Sequence, residues 1–211
     1  MKVAILSEGP TDEAAVAMLA GAVLVPSVEV IPVPIRHSPG VDALFRILPS
    51  AYLSVYYHSD ADGLIVVADS NATPVHPADI GQECDEPECR LCMTRRAIRQ
   101  AAAQVKADTG RGPLRWAVGL AVPAIEAWCL CAGDNNISEN TWVQGLNQGT
   151  KPYTRRELKR RLYGPKPWPE QHTRKCIEGV TPCVADDLRL LENKFPIGFG
   201  ALRADLRSWL H

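Results

Sequence analysis

The chain has 211 residues, of which 46% are hydrophobic, and a formal net charge of −1. That content is enough for one domain, or one with an appendage, to build a core without cross-links. No apolar run approaches the roughly 20 residues needed to cross a bilayer.

Val3 to Ser7 reads as the first strand, and Met1-Lys2 leads into it with no secretory leader, so a cytoplasmic location is expected. Asp12 to Val23 is an alanine-rich helical stretch. A second strand is expected over Val28 to Ile35, followed by a helix over Val41 to Tyr57. The third strand is Gly63 to Ala68, the next helix Met93 to Asp108, and the fourth strand Arg115 to Val122. All four strand segments are rich in Val, Ile and Leu, as strands buried on both faces are. Strands alternating with helices predict an α/β fold: a mostly parallel four-stranded sheet flanked by helices.

After the fourth strand the pattern changes. Pro123 suits the first position of a helix, expected over Pro123 to Ala132. Residues 137 to 152 read as irregular. Thr154 with Glu157 three residues on is a capping-box signature, and Leu158 and Leu162 share a face of the helix it would start. Pro165 to Pro169 reads as a rigid loop, and Val184 to Lys194 and Ala201 to Leu210 as short helices. The expected organisation is therefore a domain over 1–132 and a basic helical extension over 133–211 packed on it.

The even net charge hides an asymmetry. Residues 151 to 175 hold nine Lys or Arg against two acids, whereas residues 60 to 90 hold eight acids and one base. Such a division suits cations in one region and polyanions in the other.

Acids follow three of the strands. The first is followed by Glu8, with Asp12 four residues on; the third by Asp69 and Asn71; the fourth by Glu126 in the first turn of the next helix. Strands of one parallel sheet share their C-terminal edge, where ligands bind. Carboxylate oxygens gathered there are a ligand set for Mg²⁺ or Mn²⁺. Taken singly, each acid reads as a solvated loop or helix-cap residue; that reading leaves their shared edge unexplained.

Glu8-Gly9-Pro10-Thr11-Asp12 resembles the first motif of the Toprim family, and Asp69-Ser70-Asn71 resembles its Asp-x-Asp motif with the last position changed. Ile125-Glu126-Ala127-Trp128 is similar to a segment of small Toprim proteins related to overcoming-lysogenization-defect (OLD) nucleases, many of them encoded beside an ATPase and several belonging to phage-defence systems. The resemblance covers roughly residues 1 to 132. It implies a Toprim-like, Rossmann-like domain and a Mg²⁺- or Mn²⁺-dependent nuclease cleaving DNA or RNA, with an ATPase partner. It implies Glu8 as general acid/base and metal position, and Asp12 and Asp69 as metal ligands. Asn71 departs from the pattern, contributing an amide oxygen without charge, and Glu126 would supply the missing charge; Glu8 or Glu126 would handle the proton, so that Glu8, Asp69 and Glu126 are the expected catalytic residues. The alternative is a catalytically silent module that binds nucleic acid or a partner, which Asn71 favours.

Seven cysteines, an odd number in a chain expected in a reducing compartment, argue against a disulfide framework. Cys84, Cys89 and Cys92 lie within nine residues, at the end of a segment, Ser70 to Leu91, that fits no regular element. A structural zinc would order that insertion. His76 is the expected fourth ligand, with His172, Cys176 or Cys183 as alternatives. Cys129 and Cys131 read as buried helix residues, and Trp116, Trp128, Trp142 and Trp209 as packing residues. His37 and His58 have no assigned role.

Lys151, Arg155, Arg156, Lys159, Arg160 and Arg161 are interleaved with Tyr153, Tyr163 and Trp168. Cations neutralise phosphates and aromatics stack on unpaired bases, so this segment is the expected nucleic-acid contact. Nothing in it resembles a base-reading motif. The bland reading is a solvated helix face.

Overall fold

The structure, a computed structural model, describes residues 1–24, 28–35, 39–77, 83–106 and 110–211. Four strands, β1 (Lys2–Leu6), β2 (Glu29–Ile31), β3 (Gly63–Asp69) and β4 (Arg115–Ala121), form one sheet in the order β2-β1-β3-β4. Every pairing is parallel. β1 and β3 are central and almost wholly buried, which is why they read as continuous apolar runs rather than alternating ones. The strand expected over Val28 to Ile35 is only three residues long. It sits at the sheet edge, with Val30 exposed, so less of its length is needed for burial.

Helices join the strands: α1 (Pro10–Val23), α2 (Val41–His58) and α3 (Arg90–Ala102). Pro10 lies in the first turn of α1, where a missing N–H costs nothing, and Asp12 and Glu13 complement the positive end of the helix. α3 starts three residues earlier and ends six earlier than expected; residues 107 and 108 of that expectation lie outside the described residues.

Beyond β4 come α4 (Ile125–Leu130), α5 (Glu139–Asn147), α6 (Arg155–Tyr163), α7 (Glu170–Ala185), α8 (Leu188–Lys194) and α9 (Gly198–Ser208). Three expectations need correction. The helix after Pro123 starts two residues later, with Ala124 extended at its N-cap. Residues 137 to 152 are not irregular: Ser138 caps α5, its Oγ accepting the Thr141 N–H, and Trp142 buries the helix. The expected helix over Val184 to Lys194 is the end of α7 followed by the separate α8, which Asp187 caps. α7 itself was not legible, because Gly179 and Pro182 interrupt its pattern; it holds through packing on α1. The Thr154–Glu157 capping box is present at α6.

α2 and α3 pack together and against β3 and β4. α1 packs on α7 and α9, and α9 lies along β4. That approach is close: a Cβ on Gly198 would overlap the Leu120 carbonyl oxygen. α6 packs on α4 and α7, which carries its basic side chains to the C-terminal edge of the sheet. Among the described residues, no helix is long and apolar enough to cross a membrane.

Candidate functional site

The four acids expected at the sheet's C-terminal edge lie around one region. Glu8 follows β1 by two residues, is 5% exposed, and is held by its backbone: its carbonyl accepts the Gly40 N–H at 2.9 Å. Its Oε1 accepts the Asp69 N–H at 3.1 Å. Asp69 ends β3 and is 2% exposed, with Oδ1 accepting the Ile125 N–H at 3.1 Å. Glu126, in the first turn of α4, is 1% exposed. Its Oε1 accepts the Tyr163 hydroxyl at 3.1 Å and lies 3.6 Å from Lys159 Nζ, while its Oε2 is buried without a hydrogen-bond partner. Asp12 stands on the first turn of α1. Glu8, Asp12 and Glu126 line a cleft of about 660 Å³ together with Arg155, Arg156, Lys159 and Lys166.

Arg155, the first residue of α6, is set against the acids rather than facing a free surface. Its Nη2 is 2.5 Å from Asp69 Oδ2 and 3.5 Å from Glu8 Oε2, and its Nη1 donates to Asn71 Oδ1 at 3.0 Å. Asn71 has φ +52°, a left-handed conformation that Asn tolerates better than most residues, and its N–H donates to the Pro123 carbonyl. Asn71 is thereby fixed at the same edge as the acids.

Two carboxyls of the cluster are displaced from their ordinary range. Burial, and then the nearby Glu126 and Glu8, push the Asp12 carboxyl up to about 7. Burial, with Asp12 and Glu8 adding to it, also raises Asp69 well above the usual carboxylate range, against the pull of Arg155. Both carboxyls therefore resist ionisation where they stand, chiefly because they are taken out of water, and an added positive charge would favour their ionised forms. Carboxylate oxygens, one of them the orphaned Glu126 Oε2, are hard donors of the kind oxygen-preferring cations take. These acids do not gather into a group of three or more with all ligand atoms within 4.8 Å of one another, however, and the Arg155 guanidinium contacts Asp69, Glu8 and Asn71.

Sequence reasoning missed two members of this network. Arg90, at the start of α3, donates from Nη1 to the Asp69 carbonyl oxygen. Tyr163 was read as a base-stacking residue but is buried, with its hydroxyl spent on Glu126; burial and that carboxylate push its own ionisation far up. Tyr153 is likewise buried, against Trp142 and the Ser138 carbonyl. Tyr163 still lines the cleft with Trp168, over whose ring Lys166 Nζ stands 5.0 Å from the centre. Nothing local signals the Arg90–Asp69 and Tyr163–Glu126 contacts, which join residues far apart in the chain.

The remaining basic residues divide. Arg156 and Lys159 line the cleft, Lys151 and Arg160 are exposed, and Arg161 pairs with Asp134 at 2.8 Å.

A second cluster forms beside β3. His76, Cys84, Cys89 and Cys92 offer ligand atoms that all lie within 4.8 Å of one another; among the described residues this is the one such group of three or more. It is a possible metal site, consistent with structural zinc. Cys92 belongs to the first turn of α3 rather than to an irregular insertion. His172, Cys176 and Cys183 are elsewhere: Cys176 Sγ is 3.7 Å from His172 Nε2, and Cys183 is exposed. Cys129 and Cys131 are buried, and burial pushes their thiols up to about 12 and about 11. Trp128, Trp142 and Trp209 are buried, while Trp116 is half-buried. His37 lies outside the described residues.

Comparison with known protein families, with curated proteins and with solved structures finds no match to this chain.

Proposed function

We propose that the chain is a divalent-cation-dependent phosphodiesterase that cleaves DNA or RNA. The observation that carries this reading is the mixed cleft itself, in which acids that resist ionisation and several basic side chains meet. Acidic groups take a metal ion, and basic groups take the phosphates beside it. Glu8, Asp12 and Asp69 would hold Mg²⁺ or Mn²⁺, with Asn71 adding a neutral oxygen. The bound ion supplies Lewis-acid polarisation of the phosphate and lowers the pKa of a water.

The chain's own residues do the rest. Arg156 and Lys159 grip the phosphates flanking the scissile bond. Arg155 is the nearest cation to the acids, and an arriving phosphate competes with Asp69 for its guanidinium. Glu126, steadied through Oε1 by Tyr163, keeps Oε2 free to accept a proton from the attacking water. Exposed Lys151 and Arg160 extend the positive surface past the cleft, which suits a long polyanion better than a small ligand. By resemblance to the OLD-related Toprim proteins, an ATPase partner and a role in phage defence or repair belong to this proposal.

The other reading is a silent module that binds nucleic acid or a partner without cleaving. It is favoured by Arg155, which already bridges Asp69, Glu8 and the uncharged Asn71.

Incubation with plasmid, single-stranded DNA and RNA in Mn²⁺ and in Mg²⁺ separates the two. Cleavage is expected to fall by about 100-fold or more in Glu8→Gln and in Asp69→Asn. Neutralising Arg156 and Arg160 together should weaken binding to any sequence and lower the salt slope by about 2. Binding without cleavage in either metal would establish the silent module, and cleavage that survives both acid substitutions would rule out this site.

A further inference from the structure

The connection from β3 to α3 runs from Ser70 to Cys89 without a helix or strand among its described residues. Both ends are nevertheless pinned. At the start, the Ser70 and Asn71 N–H groups donate to the Ala121 and Pro123 carbonyls. At the finish, His76, Cys84, Cys89 and Cys92 converge, with His76, Cys89 and Cys92 buried.

The distances within that cluster carry the argument. Cys84 Sγ to Cys92 Sγ is 3.6 Å, Cys89 Sγ to His76 Nδ1 is 3.5 Å and Cys92 Sγ to His76 Nδ1 is 3.3 Å. Zn–S and Zn–N bonds of about 2.3 and 2.0 Å in a tetrahedron require edges of about 3.8 Å between sulfurs and about 3.5 Å between sulfur and nitrogen. The thiols are free, and at 3.6 Å two of them are far outside the roughly 2.05 Å of a disulfide. Thiolate and imidazole donors select zinc over Mg²⁺, Ca²⁺ or Mn²⁺. Four protein ligands close the shell, which leaves no position for substrate and makes the centre structural.

We infer that His76, Cys84, Cys89 and Cys92 bind one Zn²⁺, and that this clasp sets Arg90 against Asp69 at the acidic cleft. Cys89 is the N-cap of α3 and Arg90 is the next residue. Arg90 donates to the Asp69 carbonyl oxygen, and the charges of Glu8, Asp69 and Asp42 act on it. A ligand on each side of Arg90 fixes the helix start and with it the direction of the guanidinium. Without the ion, the end of this long connection is held by weak sulfur contacts, by the Cys89 N–H on the Glu86 carbonyl and by solvent-exposed ion pairs of Glu83 with Arg96 and Arg99. No zinc ligand needs to touch the acids for the cleft to depend on the metal. The inference concerns metal content and local order, and stands whether or not the cleft cleaves nucleic acid.

The test uses the full chain. Elemental analysis after purification should give one zinc per chain. Replacement by Co²⁺ should give tetrahedral visible bands and a thiolate-to-cobalt charge-transfer band, lost in Cys89→Ser and Cys92→Ser and kept in Cys183→Ser. Because the Cys variants can misfold, hydrogen exchange is measured on wild-type protein stripped by a chelator and then reloaded with Zn²⁺. Stripping should raise exchange by tenfold or more at residues 69–71 and 90–95, and reloading should reverse it. Absence of both zinc and the cobalt bands from folded protein would overturn the clasp. Exchange at those residues that is indifferent to zinc would overturn its link to the cleft. Neither readout involves cleavage, so either failure is separable from failure of the nuclease reading.

Discussion

Arg155→Ala tests whether the acidic floor is a cation site. Arg155 Nη2 lies 2.5 Å from Asp69 Oδ2, with the Asp69 side chain 3% exposed and that of Arg155 35% exposed. Removing one partner of a fully buried ion pair costs about 3–5 kcal/mol; the part-exposed guanidinium is screened by water, which lowers the expected loss to about 2 kcal/mol. The loss depends on pH. Asp12 and Asp69 have folded pKa values raised above their unfolded ones, so the native state binds their protons more tightly. Their contribution is fully present below the unfolded value of about 4 and is lost as pH rises, for Asp12 through about 7. Without Arg155 both carboxyls become harder to ionise and that fall deepens. Urea unfolding should therefore show the variant about 2 kcal/mol weaker at pH 8 and close to wild type at pH 4. If the floor binds metal, Mn²⁺ at 100 times its Kd should restore about 2.7 kcal/mol at pH 8, and the variant should bind Mn²⁺ more tightly than wild type. Equal losses at both pH values would show that Arg155 acts through packing. A variant indifferent to Mn²⁺ would refute the cation-site reasoning.

Two further substitutions probe the scaffold. Glu139 is 3% exposed, accepts the Ile197 and Gly198 N–H groups through Oε2 at 3.1 and 3.2 Å, and is pushed by burial to about 7. Its folded pKa is raised, so wild-type stability falls as pH climbs from about 4.5 to about 7; Glu139→Gln should match wild type at pH 5 and exceed it by about 1–2 kcal/mol at pH 8 in the same unfolding assay. Wild type that is more stable at pH 8 than the variant would contradict a buried, reluctantly charged Glu139. Gly198→Ala places a methyl against the Leu120 carbonyl, backbone that cannot swing aside; a loss of about 3 kcal/mol or more, lowering Tm by roughly 6–12 °C, is expected by calorimetry. An unchanged Tm would mean that α9 does not sit so close to β4.

Local pattern carried much of this protein. The apolar runs at Val3 and Gly63 could only be strands covered on both sides, and a chain alternating such strands with helices has few options beyond a parallel sheet. From that sheet the shared edge of Glu8, Asp69 and Glu126 follows, because parallel strands all end on the same side. The zinc-type ligands were legible because three of them fall within nine residues. The Thr154–Glu157 capping box was legible because it is complete within four.

Tertiary structure decided what those groups are set against. Arg155 looked like one more cation on a basic helix, but α6 packs on α4 and α7 and thereby brings Arg155 to Asp69, 86 positions away in the chain. Tyr163 looked like a stacking residue and is instead the donor that holds Glu126. α5 and α7 lack strong intrinsic patterns and exist because Trp142 and the α1 face give them something to bury against. The sequence alone determined which side chains stand at strand ends, in caps and in close spacing, since those depend on neighbours within a turn or two. Which cation meets which carboxylate, and which aromatic is spent inside, depended on how distant helices pack, and no local preference encodes that.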